Sequence, residues 1–112
     1  RRLAWAAPLR RPHPEETAVL THVVMWTLAD PADVPEAKAR LEALPPQIPA
    51  IRSLTVGVDA LGDPDAVHFV LITTHDDAEG LAAYASHPVH QEFGAWLRER
   101  RTTRTVVDYY SD

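Results

Sequence analysis

The sequence predicts an α+β fold: a ferredoxin-like β-α-β-β-α-β sandwich whose open sheet face is covered by the sheet of a second copy. Three observations predict it. Runs of β-branched and aromatic residues alternate with stretches of helical periodicity in that order. The order corresponds to four antiparallel strands with helices on one face. The strands are apolar on both faces, so the face without helices needs a cover. The simplest cover is another copy related by a two-fold axis, a homodimer through its sheet faces. His22 and His68 are then expected as the odd polar members of those faces.

A length of 112 residues suits one domain, and 46% hydrophobic with 24% charged residues is close to a globular average. Residues 1–18 form an Arg/Pro-rich extension, with Pro8, Pro12 and Pro14 opposing regular structure and Trp5 able to dock on the body or lie across a cavity mouth. Residues 19–112 form the domain. The extension sets four arginines against two glutamates, a net of +2, which leaves −7 for the remainder of a chain of net −5. So acidic a body argues against nucleic acid as main partner. No cysteine is present, so a thiolate metal site and a disulfide framework are both excluded. No apolar run approaches the ~20 residues that span a bilayer, and the N-terminal arginines precede no apolar core of a signal peptide. A cytoplasmic protein without a membrane partner is expected.

Taken in order, Val19 to Leu28 is the first strand, with Leu20, His22, Val24, Trp26 and Leu28 on one face and Val19, Thr21, Val23, Met25 and Thr27 on the other. Asp33 and Glu36 form a possible capping box before a helix carrying Ala37, Leu41 and Leu44. Pro45-Pro46 ends it, and 47–50 is a rigid connector. Ile51 to Asp59 alternates as a second strand, Gly62-Asp63-Pro64-Asp65 is a turn, and Ala66 to Thr74 is a third strand. That strand sets His68, Val70 and Ile72 against Val67, Phe69, Leu71 and Thr73. Asp76 or Asp77 caps a helix through Leu81 and Tyr84. A further helix runs from Val89 to Arg101 with Phe93, Trp96 and Leu97 at helical spacing, its last turn holding Arg98, Arg100 and Arg101. Thr103 to Tyr109 is the final strand.

The stretch from Tyr84 to Gly94 concentrates the chemistry. Pro88 lacks an N–H and fixes φ, so one helix ends near Ser86 or His87 and the next starts at the proline. Tyr84 and His90 then meet at one corner. A neutral imidazole at His90 can take a proton α to a ketone, and the Tyr84 hydroxyl can hold the enolate oxygen. The same pair can equally pin the corner by hydrogen bonds. His87 reads as structural, its ring capping the ending helix, and His75 and His13 fall in loop and tail with no role. His22 and His68 are either satisfied buried histidines or groups that orient a substrate. A metal site on His87 and His90 with Asp76, Asp77 or Asp108 is disfavoured by the proline break, so no metal is expected. The glycines are scattered without a phosphate loop, and no serine sits in a nucleophile elbow.

His22-Val23-Val24, Ile48-Pro49-Ala50-Ile51, His68-Phe69-Val70, Tyr84-x-x-His87-Pro88-x-His90-x-x-Phe93-Gly94 and Val106-Val107-Asp108-Tyr109 together resemble the stress-responsive dimeric α/β-barrel (Dabb) family over Leu20 to Tyr110. The resemblance implies the barrel dimer. One branch, the olivetolic acid cyclases, implies cofactor-free polyketide cyclase chemistry: general-base aldol cyclisation of a small apolar keto substrate. It implies His90 and Tyr84 as catalytic residues and a substrate cavity with His22, His68, Val24, Trp26, Val70, Phe93, Gly94 and Trp96 at its walls. The aromatic first helix of that branch is replaced here by Val34-Pro35-Glu36-Ala37-Lys38. The last helix ends in Arg100-Arg101 instead of an aromatic wall, which implies a different substrate. The alternative function is a non-catalytic, stress-responsive dimeric binding or structural protein.

Overall fold

A computed structural model describes residues 18–111. The expectations for the extension, Trp5 included, fall outside these residues. The elements are β1 (Val19–Leu28), α1 (Val34–Glu42), β2 (Ser53–Val58), β3 (Phe69–His75), α2 (Ala78–Ser86), α3 (Pro88–Arg98) and β4 (Arg101–Ser111), with short 3-10 turns at Pro31–Asp33 and Pro45–Gln47. The four strands form one sheet of order β2-β3-β1-β4, and every neighbouring pair is antiparallel. The fold is therefore the ferredoxin-like α+β sandwich.

Helices cover one face. Val24, Trp26 and Leu28 of β1, Phe69 and Leu71 of β3 and Val56 of β2 pack there with Ala37, Leu41, Tyr84, Phe93 and Leu97. Leu41, Ile48 and Leu71 are at most 1% exposed, and each such side chain contributes about 1.5–3 kcal/mol by leaving water. Among the described residues nothing covers the other face, the bare face. It carries Val23, Met25, Val70 and Ile72, half-buried, beside Val107 and Tyr109 of β4, which are 53% and 48% exposed. Among the described residues no helix is long and apolar enough to cross a membrane.

Several local expectations are corrected. His22 is not on the bare face. It shares the helix-covered side with Leu20 and Val24, because β1 presents that alternation to the core. His68 precedes β3, and its Nδ1 accepts from the Leu28 backbone N–H at 3.0 Å. Asp33 makes no capping bond; Asp30 caps the 3-10 turn before α1 instead, accepting from the Ala32 N–H, and Glu36 pairs with Arg40. Asp77 caps α2 by accepting from the Gly80 N–H at 2.8 Å. His75 belongs to β3, and Arg101 opens β4 rather than closing the last helix.

Candidate active site

The site begins at the proline. His87 has φ −63° and ψ 136°, the extended conformation that a residue before proline prefers, so α2 stops and α3 starts with Pro88 at its first position. The His87 ring caps the starting helix, not the ending one, because its Nδ1 accepts from the Val89 N–H at 3.1 Å. The unpaired carbonyl of Ala85 at the end of α2 accepts twice, from His90 Nδ1–H at 3.0 Å and from the Gln91 side-chain amide at 2.7 Å. A carbonyl only accepts, so the His90 proton is on Nδ1. Nε2 keeps a free lone pair.

Tyr84 lies at the centre of three imidazoles. Its ring is 1% exposed, with His90 at 4.4 Å, His75 at 5.0 Å and His22 at 6.1 Å between centroids. Among the described residues the Tyr84 hydroxyl has no hydrogen-bond partner, and neither has the buried Trp26 Nε1–H. Burial pushes the phenol well above its ordinary range, against the pull of Arg104, so Tyr84 is a neutral donor. Burial lowers the His90 pKa most. The Ala85 hydrogen bond opposes this, while the charges of His22, Arg104 and Arg98 lower it further. The N-terminus of α3 also disfavours an imidazolium. These effects favour the neutral imidazole at His90.

The other two histidines are supports. Burial lowers the His75 pKa, the Ala50 bond opposing it. Its Nδ1–H donates to the Ala50 carbonyl and its Nε2 accepts from Thr73 Oγ1, both at 2.8 Å, so it is a fully satisfied plate behind Tyr84. His22 faces Asp108 across the β1–β4 ladder and donates from Nδ1 to its carboxylate at 2.5 Å, which orients the ring.

Tyr84, His90 and His22 line a cavity of about 230 Å³. His22, Val24, Trp26 and Leu71 form its sheet side, and Tyr84, His90, Phe93, Gly94 and Leu97 its helix side. Arg98, Arg101 and Arg104 complete the lining. Seven of the residues singled out in the sequence therefore meet: Tyr84, His90, His22, Val24, Trp26, Phe93 and Gly94. Three do not. His68 lines a separate open groove with Pro31, Val34 and Val58. Val70 is on the bare sheet face, one residue out of phase with Phe69 and Leu71. Trp96 is held between the guanidiniums of Arg40 and Arg100, at 4.5 and 4.4 Å from its centroid. Sequence reasoning missed His75 as support and the three arginines as a group. Among the described residues no three His, Asp or Glu side chains are placed to hold a metal ion.

The family model described as Stress responsive A/B Barrel Domain (Dabb) matches residues 20–111. No curated protein matches the chain. Among solved structures, a dimeric ferredoxin-like protein of unknown function from Bacteroides fragilis is 30% identical, with TM-score 0.74 over 83% of this chain and 96% of its own. A hydroxynitrile lyase from Passiflora edulis is 16% identical, with TM-score 0.72 over 84% and 94%. SnoaB from Streptomyces nogalater, a cofactor-independent oxygenase, is 19% identical, with TM-score 0.67 over 86% and 95%. At these last two identities the likeness is one of fold.

Proposed function

We propose that this chain, which belongs to the stress-responsive A/B barrel (Dabb) family, is a cofactor-free enzyme that removes a proton α to a carbonyl and drives an aldol-type cyclisation of a small keto substrate. The observation that carries this reading is the unmet bonding of Tyr84 and His90 side by side: a buried hydroxyl without a partner next to a neutral imidazole with a free Nε2. His90 Nε2 takes the α-proton. Tyr84 O–H and Trp26 Nε1–H donate to the enolate oxygen. The enolate carbon attacks a second carbonyl of the same substrate, forming the C–C bond, and the resulting alkoxide takes the proton back from the imidazolium. Loss of water then completes an aromatic ring where the substrate allows it. His22, fixed by Asp108, and the apolar Val24, Phe93 and Leu97 shape the chamber.

The working unit in this proposal is a homodimer through the bare sheet face. The Bacteroides fragilis relative is described as dimeric, and this face carries Val23, Met25, Val70, Ile72, Val107 and Tyr109 with no described residue over them.

A second reading, a non-catalytic binding or structural dimer, has its own support. The Ala85 carbonyl takes two bonds that pin the corner, and 230 Å³ is below the roughly 300 Å³ at which ligand pockets usually begin. The two separate in one experiment. The protein is mixed with 4-oxo-4-phenylbutanoate in D2O and α-deuterium incorporation is followed by proton NMR. Enzyme-accelerated exchange that falls about 10²–10⁴-fold in His90→Gln, with the melting temperature kept, is the expected result. Exchange at the wild-type rate in His90→Gln would remove the base from the proposal, and unfolding of the variant would favour the pinned corner.

A further inference from the structure

Taking the proposed α-proton chemistry as its premise, the geometry points to a more specific substrate: a keto acid whose carboxylate is bound by Arg98, Arg101 and Arg104 while its carbonyl reaches Tyr84 and Trp26. The chain as a whole is acidic, at −5, yet among the described residues the cavity lining contains three arginines and no aspartate or glutamate. Arg40, Arg52 and Arg100 each have a carboxylate within 4.0 Å. Among the described residues, no such partner is found for Arg98, Arg101 or Arg104. Asp108 is already engaged by His22.

The three converge through two separate local devices. Arg104 is opposite Trp26 in the β1–β4 ladder, and residues directly opposite point to the same side. Strict alternation would send Arg101 to the bare face. A bulge at Thr27/Leu28 puts Arg101 opposite Leu28 instead, with Thr102 as the extra residue, and so turns Arg101 to the cavity side. Arg98 comes from α3 and lies close over Gly94: a Cβ built there would be 3.3 Å from its Nη1. A bare glycine thus leaves room for the guanidinium beside the cavity.

The hydrogen-bonding character agrees. The three guanidiniums, Trp26 Nε1–H and the Tyr84 hydroxyl offer donors, and His90 Nε2 is the lone pair beside them. Such a lining complements a ligand made of acceptors with one removable proton: a carboxylate for the guanidiniums, a ketone for the two orphan donors, and a C–H for the imidazole. Arginine binds carboxylate through paired, charge-assisted bonds, and an anion relieves the mutual repulsion of the three guanidiniums. Low-dielectric walls concentrate that field.

The test is a comparison of near-isosteres by titration calorimetry. 4-Oxo-4-phenylbutanoate is expected to bind at least tenfold more tightly than 4-oxo-4-phenylbutanamide at low salt, the gap narrowing as salt rises. Arg104→Gln, and more strongly Arg101→Gln/Arg104→Gln, is expected to remove that advantage while leaving the amide's affinity unchanged. Equal binding of acid and amide, or an acid preference that survives both variants, would overturn the inference. Tighter binding of phenyl phosphate than of the acid would also overturn it, in favour of a phosphate-bearing ligand. The comparison is repeated in His90→Gln. An acid preference kept there, with exchange absent in the wild type, refutes the proposed chemistry and spares the carboxylate subsite. Exchange present without an acid preference does the reverse.

Discussion

Replacing Tyr84 by Phe distinguishes an active site from a pinned corner by the sign of the stability change. The ring is 1% exposed and packed between His75 and His90, and Phe keeps those contacts. What the substitution removes is one hydroxyl that has no hydrogen-bond partner. A buried polar group left unsatisfied costs about 1–3 kcal/mol, and the lower end of that range applies to a single neutral hydroxyl. Tyr84→Phe therefore stabilises the fold by about 1 kcal/mol, which in a domain of this size raises Tm by about 4–8 °C. The same hydroxyl is the proposed donor to the enolate oxygen, and loss of one such donor costs about 10²–10³ in turnover. Calorimetry at one fixed protein concentration reads the first quantity, since the melting of a dimer depends on concentration. Deuterium exchange into 4-oxo-4-phenylbutanoate reads the second. A variant that melts several degrees lower and exchanges as fast as wild type would refute the reasoning on both counts, because it would make the hydroxyl a structural bond.

Two further outcomes follow from the geometry. His75 and His90 both have lowered pKa values, so the unfolded chain takes up protons near pH ~6.5 before the folded one does, and stability must fall as pH drops from 7.5 to 5.5 and level off above; urea denaturation across that window checks it, and a rise in stability on acidification would contradict it. Ile72→Asp puts a charge in the middle of the bare sheet face, between Val23 and Thr55, and should weaken the dimer by about 3 kcal/mol or more, roughly 10²-fold in Kd, which light scattering on a sizing column would show as a monomer with unchanged circular dichroism.

The element order was legible because period and composition switch cleanly along the chain, and the Tyr84–His90 corner because a proline leaves a helix few options. Other features needed the tertiary structure. Alternation put His68 with Val70 and His22 with Val24, but when both faces of a sheet are apolar the pattern does not say which one meets the helices. His75 follows two threonines at a strand end and reads as loop; its burial comes from the Ala50 carbonyl and Thr73, contacts with no local signature. Arg101 reads as a helix-terminal cation. The bulge that turns it toward Arg104 has no glycine to mark it, and only the pairing register reveals it.

The distribution of unmet hydrogen bonds argues that the corner is more than a joint. Elsewhere among the described residues, buried polar groups are closely satisfied. Thr73 is bonded to His75, His75 to Ala50 and His22 to Asp108, while His87 and Asp77 cap their helices. Among the described residues, the two buried side-chain atoms left without partners, Trp26 Nε1 and Tyr84 Oη, belong to residues lining one cavity, which His90 also lines. Phenylalanine at either position would keep much of the apolar packing and remove the penalty of an unsatisfied donor. A fold selected for stability alone has no use for both. Two unpaired donors and one free acceptor on residues of the same lining as three guanidiniums are what the proposed carbonyl substrate with an acidic C–H would require, and in that proposal their pairing is completed by the substrate.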